Sequence, residues 1–259
     1  MSSGPVDLSI IIPAYMEAAR IGNVLEELAA FLHARDYGSI EILVVTADSP
    51  DGTAKIAESK AKLFKNFRLV HAGPRVGKGR DVRLGIFEAT GRYRVFMDAD
   101  LATPLIHLDD VHAFMKQNGK VGIAIRNLFT IHEGFQRKVM SKCANLAAQL
   151  FVVPGIKDTQ CGFKVFEADA AEQIFGRMTM LQWSFDMEIL AIARQLGYPI
   201  SFIETPDWRD PKTKDDGLAG DSLAMIALNS FLDPIKIRAN IWAGRYKHSS
   251  YTHKAAVSR

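Results

Sequence analysis

Cysteine is nearly absent from this chain: Cys143 and Cys161 are the only two in 259 residues. A pair of thiols in this setting makes neither a disulfide framework nor a metal-ligand spacing, and it fits a reducing compartment. Long apolar runs are missing too. No stretch reaches the roughly 18–20 apolar residues that a spanning helix needs, and Met1-Ser-Ser-Gly4 lacks the basic and apolar regions of a secretory signal. The net charge of +3 is too small to argue for nucleic acid. Internal repeats and low-complexity tracts are also lacking. What remains is a globular composition, 48% hydrophobic and 24% charged, long enough to bury a large core. A cytoplasmic protein is expected, one that touches a membrane surface if any membrane at all.

The apolar residues are grouped in short β-branched runs separated by amphipathic stretches. Leu8–Ile12, Ile40–Val45, Phe67–Val70 and Tyr93–Met97 read as buried strands. Between them, Ile21, Val24, Leu25, Leu28, Phe31 and Leu32 fall at helical spacing, Thr53–Phe64 reads as a second helix, and Gly77-Lys78-Gly79 opens a third that runs to about Ala89. Strands alternating with helices predict an α/β fold with a mostly parallel, Rossmann-like sheet flanked by helices. The second half reads as a helix from Leu108 to Gln117, a strand Val121–Ile125 ending in Arg126, a long apolar helix from Glu133 to Val153, a strand Cys161–Phe166, a helix Phe185–Leu196 and a last strand Ile200–Ile203. Pro206–Gly220 reads as a mobile polar loop. Leu223 to about Ala243 is expected to be helical, with a break at Pro234.

Ligands on such sheets gather at the carboxyl ends of the strands. Pro13–Glu17, Ala47–Asp51, Gly73–Lys78 and Asp98–Asp100 all fall there. The last stretch carries the sharpest chemistry. Residues i and i+2 of an extended chain point the same way, so Asp98 and Asp100 face one small volume. Two carboxylates that close repel unless a proton or cation lies between them. A hard divalent ion, Mg2+ or Mn2+, fits, and it needs few protein ligands when phosphates supply the rest. Gly73-Pro-Arg-Val-Gly77-Lys78 is not an NTPase phosphate loop, because the glycine spacing is one short and no Ser or Thr follows the lysine. It can still bring backbone N–H groups and Lys78 to a diphosphate at a helix start. His33, His71, His107, His112 and His132 show no ligand spacing and read as structural or exposed.

Five motifs occur in order: Pro13-Ala14-Tyr15-Met16-Glu17, Gly77-Lys78-Gly79, Asp98-Ala99-Asp100-Leu-Ala-Thr-Pro104, Asp158-Thr-Gln-Cys-Gly-Phe-Lys164 and Trp183-Ser-Phe-Asp-Met-Glu188. Together they resemble glycosyltransferase family two, of the GT-A fold, and its dolichyl-phosphate or polyprenyl-phosphate β-glucosyltransferase branch. The resemblance covers roughly residues 7–210. It implies metal-dependent, inverting transfer of a hexose from a nucleotide sugar, UDP-glucose first among them, to a polyprenyl phosphate. It further implies that Pro13, Ala14, Tyr15, Glu17 and Asp48 hold the nucleoside. Gly77, Lys78, Asp98 and Ala99 would meet the diphosphate, with the metal on Asp98 and Asp100. Arg126 and Arg137 match the basic residues for the acceptor phosphate, and Asp158, Asp186 and Glu188 would line the sugar site. Arg209, Lys212 and Lys214 fall in a loop that closes over phosphates. A catalytic unit over residues 1–217 is expected, its nucleotide half about 7–104 and its acceptor half about 105–217, followed by a C-terminal helix and basic tail over 218–259.

A phosphate acceptor is already ionised at neutral pH, so it needs cationic positioning rather than a general base. A saccharide acceptor would need a base such as Asp158 or Asp186, and that reading stays open. So does a catalytically silent GT-A domain, because Met16 replaces the family's Asn, Thr46-Ala-Asp48-Ser49 replaces its Asp-Asp-Gly-Ser, and Asp81 stands where a small residue is expected. Membrane contact is expected from two features. The Glu133–Val153 segment carries Phe135, Val139, Met140, Leu146, Leu150 and Phe151. From Ile235 onward there is no Asp or Glu, while Lys236, Arg238, Arg245, Lys247, Lys254 and Arg259 are basic.

Overall fold

The structure is a computed structural model and describes residues 5–126, 149, 152–156, 158–209 and 223–248, with the side chains of 223–231 excepted. One sheet of seven strands runs through it in the order β3-β2-β1-β4-β6-β5-β7. The strands are β1 (Leu8–Pro13), β2 (Ile40–Ala47), β3 (Phe67–Gly73), β4 (Tyr93–Met97), β5 (Val121–Arg126), β6 (Phe163–Glu167) and β7 (Ile200–Thr205). β6 alone is reversed, pairing antiparallel with both β4 and β5, whereas every other pairing is parallel. The carboxyl ends of six strands and the amino end of β6 therefore share one edge of the sheet. That edge collects Pro13, Ala47, Gly73, Asp98, Arg126 and the run into Phe163.

The helices are α1 (Ile21–His33), α2 (Thr53–Ser59), α3 (Lys78–Glu88), α4 (His107–Lys116), α5 (Ala168–Phe175), α6 (Phe185–Gln195) and α7 (Leu223–Trp242). They form two layers because the strands alternate sides. Ile11, Leu43, Val45, Phe96, Ile123 and Phe166 pack under α3, α5 and α6. Ile10, Ile12, Ile42, Val44, Val95 and Val165 face α1, α2 and α4. Both faces of the central strands are buried, as their predominantly apolar runs required. Each fully buried Ile or Leu contributes about 1.5–3 kcal/mol relative to exposure.

Three local expectations change. Thr53–Phe64 is not one helix: α2 stops at Ser59, and a single 3-10 turn follows over Ala61–Leu63. α5 lies where no helix is read from the sequence; Glu167 caps it by accepting from Ala170 N. α7 runs through Pro234 without ending, and it is anchored by Ile237 and the following Tyr246, both in the main core. The expected Glu133–Val153 helix lies outside the described residues except for Gln149, Val152 and Val153. No helix among the described residues is long and apolar enough to cross a membrane.

Candidate active site

β4 ends at Met97 and releases the chain into an acidic turn. Asp98 N donates to Gly162 O at 3.1 Å, which locks the acidic turn to the entry of β6. Residue 162 has no room for a side chain: a Cβ there would lie 2.0 Å from Asp98 Oδ2. Asp100 Oδ1 accepts from Ala102 N at 2.9 Å, and this Asx-type turn carries Leu101 into the left-handed region at φ 52°. Burial first, and then the charge of Asp98, raise the Asp100 pKa. Asp98 Oδ1 is buried, and Lys78 Nζ pairs with it at 2.5 Å. Two neighbouring carboxylates with one ammonium against them fit a hard divalent ion. No cluster of three or more ligating side chains exists among the described residues, so such an ion would take its remaining ligands from water and phosphate.

Lys78 reaches this turn because its loop is pressed into place. A Cβ at Gly77 would meet Leu181 O at 2.5 Å, and one at Gly79 would meet Phe185 Cβ at 2.8 Å. The bare backbone lets α3 start against the 181–185 segment, where Arg80 N donates to Leu181 O. Burial alone would lower the Lys78 pKa, but the charges of Asp98, Asp186 and Asp100 outweigh it and raise it. Asp186, in the first turn of α6, pairs at 2.5 Å with Lys164 Nζ, which also donates to Cys161 O. Burial raises the Asp186 pKa against the pull of Lys164 and Lys78. Glu17 pairs with Arg20 through two bonds of 2.7 and 2.9 Å; burial raises its pKa, with smaller contributions from Asp100 and Asp98.

The loop after β1 is fixed by the loop after β2. Met16, Glu17 and Ala18 donate their N–H groups to Ser49, Thr53 and Asp51, each at 2.9 Å. Ala14 N is tied to Val45 O, so Pro13 and Ala14 form a stiff rim. Tyr15 lies under the Arg75 guanidinium, 4.2 Å from its ring centroid. Met16 has φ 59°, and asparagine, which the family pattern places here, tolerates that conformation better than methionine. Ala47 is buried, whereas Asp48, one residue on, is exposed with its N–H on Gly73 O.

On the far side of Asp98, β5 delivers Arg126. Asp158 accepts from Arg126 Nε at 2.7 Å, Nη2 at 2.9 Å and the backbone N–H at 3.0 Å. The guanidinium also lies 5.2 Å from the Trp208 ring centroid. Burial would raise the Asp158 pKa; Arg126 overrides that and holds it below the ordinary range. With both oxygens engaged and a lowered pKa, Asp158 is suited to orient Arg126 and poorly suited to remove a proton. Trp208 and its neighbours are themselves held. His107 bridges Asp110 at 2.8 Å and Asp207 at 2.6 Å, and Arg209 N donates to Ala102 O at 2.8 Å.

The structure thus brings Asp98, Asp100, Lys78, Asp186, Asp158 and Arg126 into one charge network, with Glu17 at its margin. Glu188 does not join it. Its carboxylate accepts from Thr179 N, Thr179 Oγ1, Met180 N and Tyr246 Oη at 2.6–2.9 Å, so it ties α6 to the segment before it and to the end of α7. Arg137, Lys212 and Lys214 lie outside the described residues. Three site residues received no role from sequence alone. Lys164 sits inside a quoted motif, and a lysine flanked by Phe163 and Val165 in an apolar strand was a usable signal of a buried pair. Gly162 sits in the same motif, but its role as a close neighbour of Asp98 depends on the fold, and Arg20 carried no signal.

A parallel sheet with one reversed strand, an acidic pair at its carboxyl edge and a lysine poised over that pair define the GT-A class of nucleotide-sugar transferases. The model of glycosyl transferase family 2 matches residues 9–175. The dolichyl-phosphate beta-glucosyltransferase ALG5D of Trichomonas vaginalis is 31% identical, over 93% of this chain and 76% of its own. Among solved structures, mannosyl-3-phosphoglycerate synthase from Rubrobacter xylanophilus superposes with a TM-score of 0.68 at 18% identity, covering 93% of this chain and 75% of its own. Glucosyl-3-phosphoglycerate synthase from Mycobacterium tuberculosis, solved with Mn2+, UDP-glucose and phosphoglyceric acid, superposes with a TM-score of 0.66 at 16% identity, covering 91% and 80%. The chain belongs to glycosyl transferase family 2: it is an enzyme, a hexosyltransferase of the GT-A fold.

Proposed function

We propose that this protein transfers glucose from UDP-glucose, with inversion, to a polyprenyl phosphate of the dolichyl type. The observation that carries the acceptor class is the Arg126–Asp158 pair. The carboxylate best placed to act as base for a sugar hydroxyl is committed to a guanidinium, and a guanidinium is what an ionised phosphate needs. Asp186 is likewise taken by Lys164. The resemblance adds Arg137 to the acceptor phosphate site. The glucosyl donor and dolichyl acceptor are supported by the name of the Trichomonas relative.

Asp98 and Asp100 hold Mg2+ or Mn2+ in this reading. When bound, the ion offsets the charge that develops on the departing diphosphate. The chain's own residues do the rest. Four carboxylates of the network (Asp98, Asp100, Asp158, Asp186) face three cations (Lys78, Lys164, Arg126). The donor-free site is therefore short of positive charge, and a divalent ion leaves it ready for an anionic donor. The rim of Pro13, Ala14, Tyr15 and Glu17, with Asp48 across from it, receives the nucleoside. Gly77 and Lys78, with Ala99, meet the diphosphate, and Asp186 polarises the sugar pocket. The resemblance assigns Arg209, Lys212 and Lys214 to the donor phosphates.

The catalytic unit spans residues 1–217, and the segment 218–259 sits against the cytoplasmic face of a membrane. The outer side of α7 supports this. Leu232, Ile235, Ala239 and Trp242 recur at spacings of three and four and are exposed, Trp242 to 76%. Arg238 covers the Trp242 ring at 5.0 Å, and Lys236, Arg245 and Lys247 border the stripe. Apolar residues rimmed by basic ones suit an anionic lipid surface.

The test is transfer of radiolabelled glucose from UDP-glucose, with Mn2+, to dolichyl phosphate, phosphoglycerate or a free saccharide. Label is expected in the organic phase with dolichyl phosphate alone. Transfer only to a soluble acceptor, or binding of UDP with no transfer at all, would sink the proposal.

A further inference from the structure

Lys78 Nζ sits 2.5 Å from Asp98 Oδ1, a buried oxygen with no other hydrogen-bond partner among the described residues. Its position is built rather than incidental. Gly77 and Gly79 admit no side chain against Leu181, Gln182 and Phe185, so the loop that carries Lys78 packs directly on that segment, beside the acidic turn. The Trp183 ring lies 5.8 Å from the ammonium, and the Lys78 side chain is only 16% exposed. Three carboxylates, Asp98, Asp186 and Asp100, act on it together.

We infer that Lys78 is an internal counter-cation that occupies Asp98 in the donor-free enzyme and thereby makes binding of the divalent ion conditional on the diphosphate. The inference rests on the metal reading of Asp98 and Asp100 and adds an order to it. Two cations cannot crowd one carboxylate oxygen in a site of limited solvent access without strong mutual repulsion. With no donor present, the ammonium holds Oδ1 and the ion binds weakly. A bound diphosphate brings negative charge to the same space. It gives the ammonium a second set of acceptors and releases Oδ1. Ion and diphosphate then bind with positive coupling, and each raises the affinity for the other by the same factor. Lys78 thus serves the diphosphate and also guards the empty site against free metal.

The test is Mn2+ binding followed by the EPR signal of the free ion, with and without UDP, on wild type, Lys78→Met and Lys78→Gln. Thermal melts establish that each variant is folded. Both variants keep much of the stem and remove the charge. Wild type is expected to bind Mn2+ weakly alone and at least about tenfold more tightly with UDP, within the usual range of coupling between sites. The variants are expected to bind Mn2+ alone at least about tenfold more tightly than wild type and to lose most of the UDP effect. UDP-free affinity in both variants that equals or falls below that of wild type, while wild type still binds Mn2+ with UDP, overturns the Lys78 inference and leaves the metal site standing. No Mn2+ binding by wild type even with UDP overturns the metal site and this inference together.

Discussion

Gly162 and Asp98 meet so closely that a single methyl group would collide with the carboxylate: a Cβ on residue 162 would stand 2.0 Å from Asp98 Oδ2 and 2.3 Å from Cγ. The contact joins the acidic turn after β4 to the approach to β6, and it fixes where Asp98 points. Gly162→Ala is expected to turn Asp98 out of its position. A displacement of that size at a reacting centre costs on the order of a hundredfold in turnover, with the fold retained. Measured kcat/KM for donor turnover, set beside the thermal melt, checks this. Near wild-type turnover would show that Asp98 is not held through this contact.

Arg126 and Asp158 form a largely buried ion pair, with side-chain exposures of 20% and 2%. Removing one partner of such a pair strands the other and destabilises by about 3–5 kcal/mol. Asp158→Ala should show that loss in urea unfolding. Asp158→Asn should lose less, because its amide oxygen still accepts one bond. Equal, small losses for both would mean that the pair does not orient Arg126.

Glu188→Ala should act on stability and spare chemistry. Four donors lose their acceptor, and a loss of about 2–4 kcal/mol is expected. In the folded fraction, kcat should stay within about threefold of wild type, since no transition-state contact is removed. A large fall in kcat with an unchanged melt would return Glu188 to the sugar site.

Asp51 ties the first two loops together, and its pKa is set for that task. Burial would raise it, but hydrogen bonds from Thr53, Ala18 N–H, Ser49 and Thr53 N–H bring it down from 3.8 to about 2. A depressed carboxyl contributes stability that is present above the unfolded value and lost as pH falls through the folded one. The stability difference between wild type and Asp51→Ala should therefore be constant above about pH 5 and shrink between about pH 5 and 2. A difference that persists unchanged to pH 2 would contradict the clamp.

Much of this arrangement is legible in the sequence. The apolar runs named all seven strands; in β1, β2 and β4 this is because a strand covered on both faces has little freedom in composition. The i, i+2 spacing of Asp98 and Asp100 survives in three dimensions because it is a local property of extended chain. What was not legible depends on distance along the sequence. The reversal of β6 is a matter of its pairing with β4 and β5, strands distant from it in sequence, which no local pattern encodes. Lys78 meets Asp98 only because α3 starts at the edge where β4 ends. Residues i and i+2 of a helix point to different faces, so if Asp186 turns to the site, Glu188 turns away from it, here towards Thr179 and Tyr246.

Met16 offers a cheap check on the loop geometry. Its φ of 59° is a conformation that costs an ordinary L residue roughly 1–2 kcal/mol, and asparagine relieves part of that. Met16→Asn should stabilise the protein by about 0.5–1 kcal/mol. A destabilised variant would contradict the left-handed assignment.

The central claim is that Asp98 and Asp100 grip a divalent ion on which donor binding depends. Calorimetric titration of UDP-glucose into wild type and Asp100→Ala, each with Mn2+ and with chelator, tests it most directly. Wild type should bind the donor tightly only with Mn2+, and Asp100→Ala should bind it weakly in both conditions while melting close to wild type. Equal affinity in the variant, or wild-type binding indifferent to Mn2+, would contradict the account.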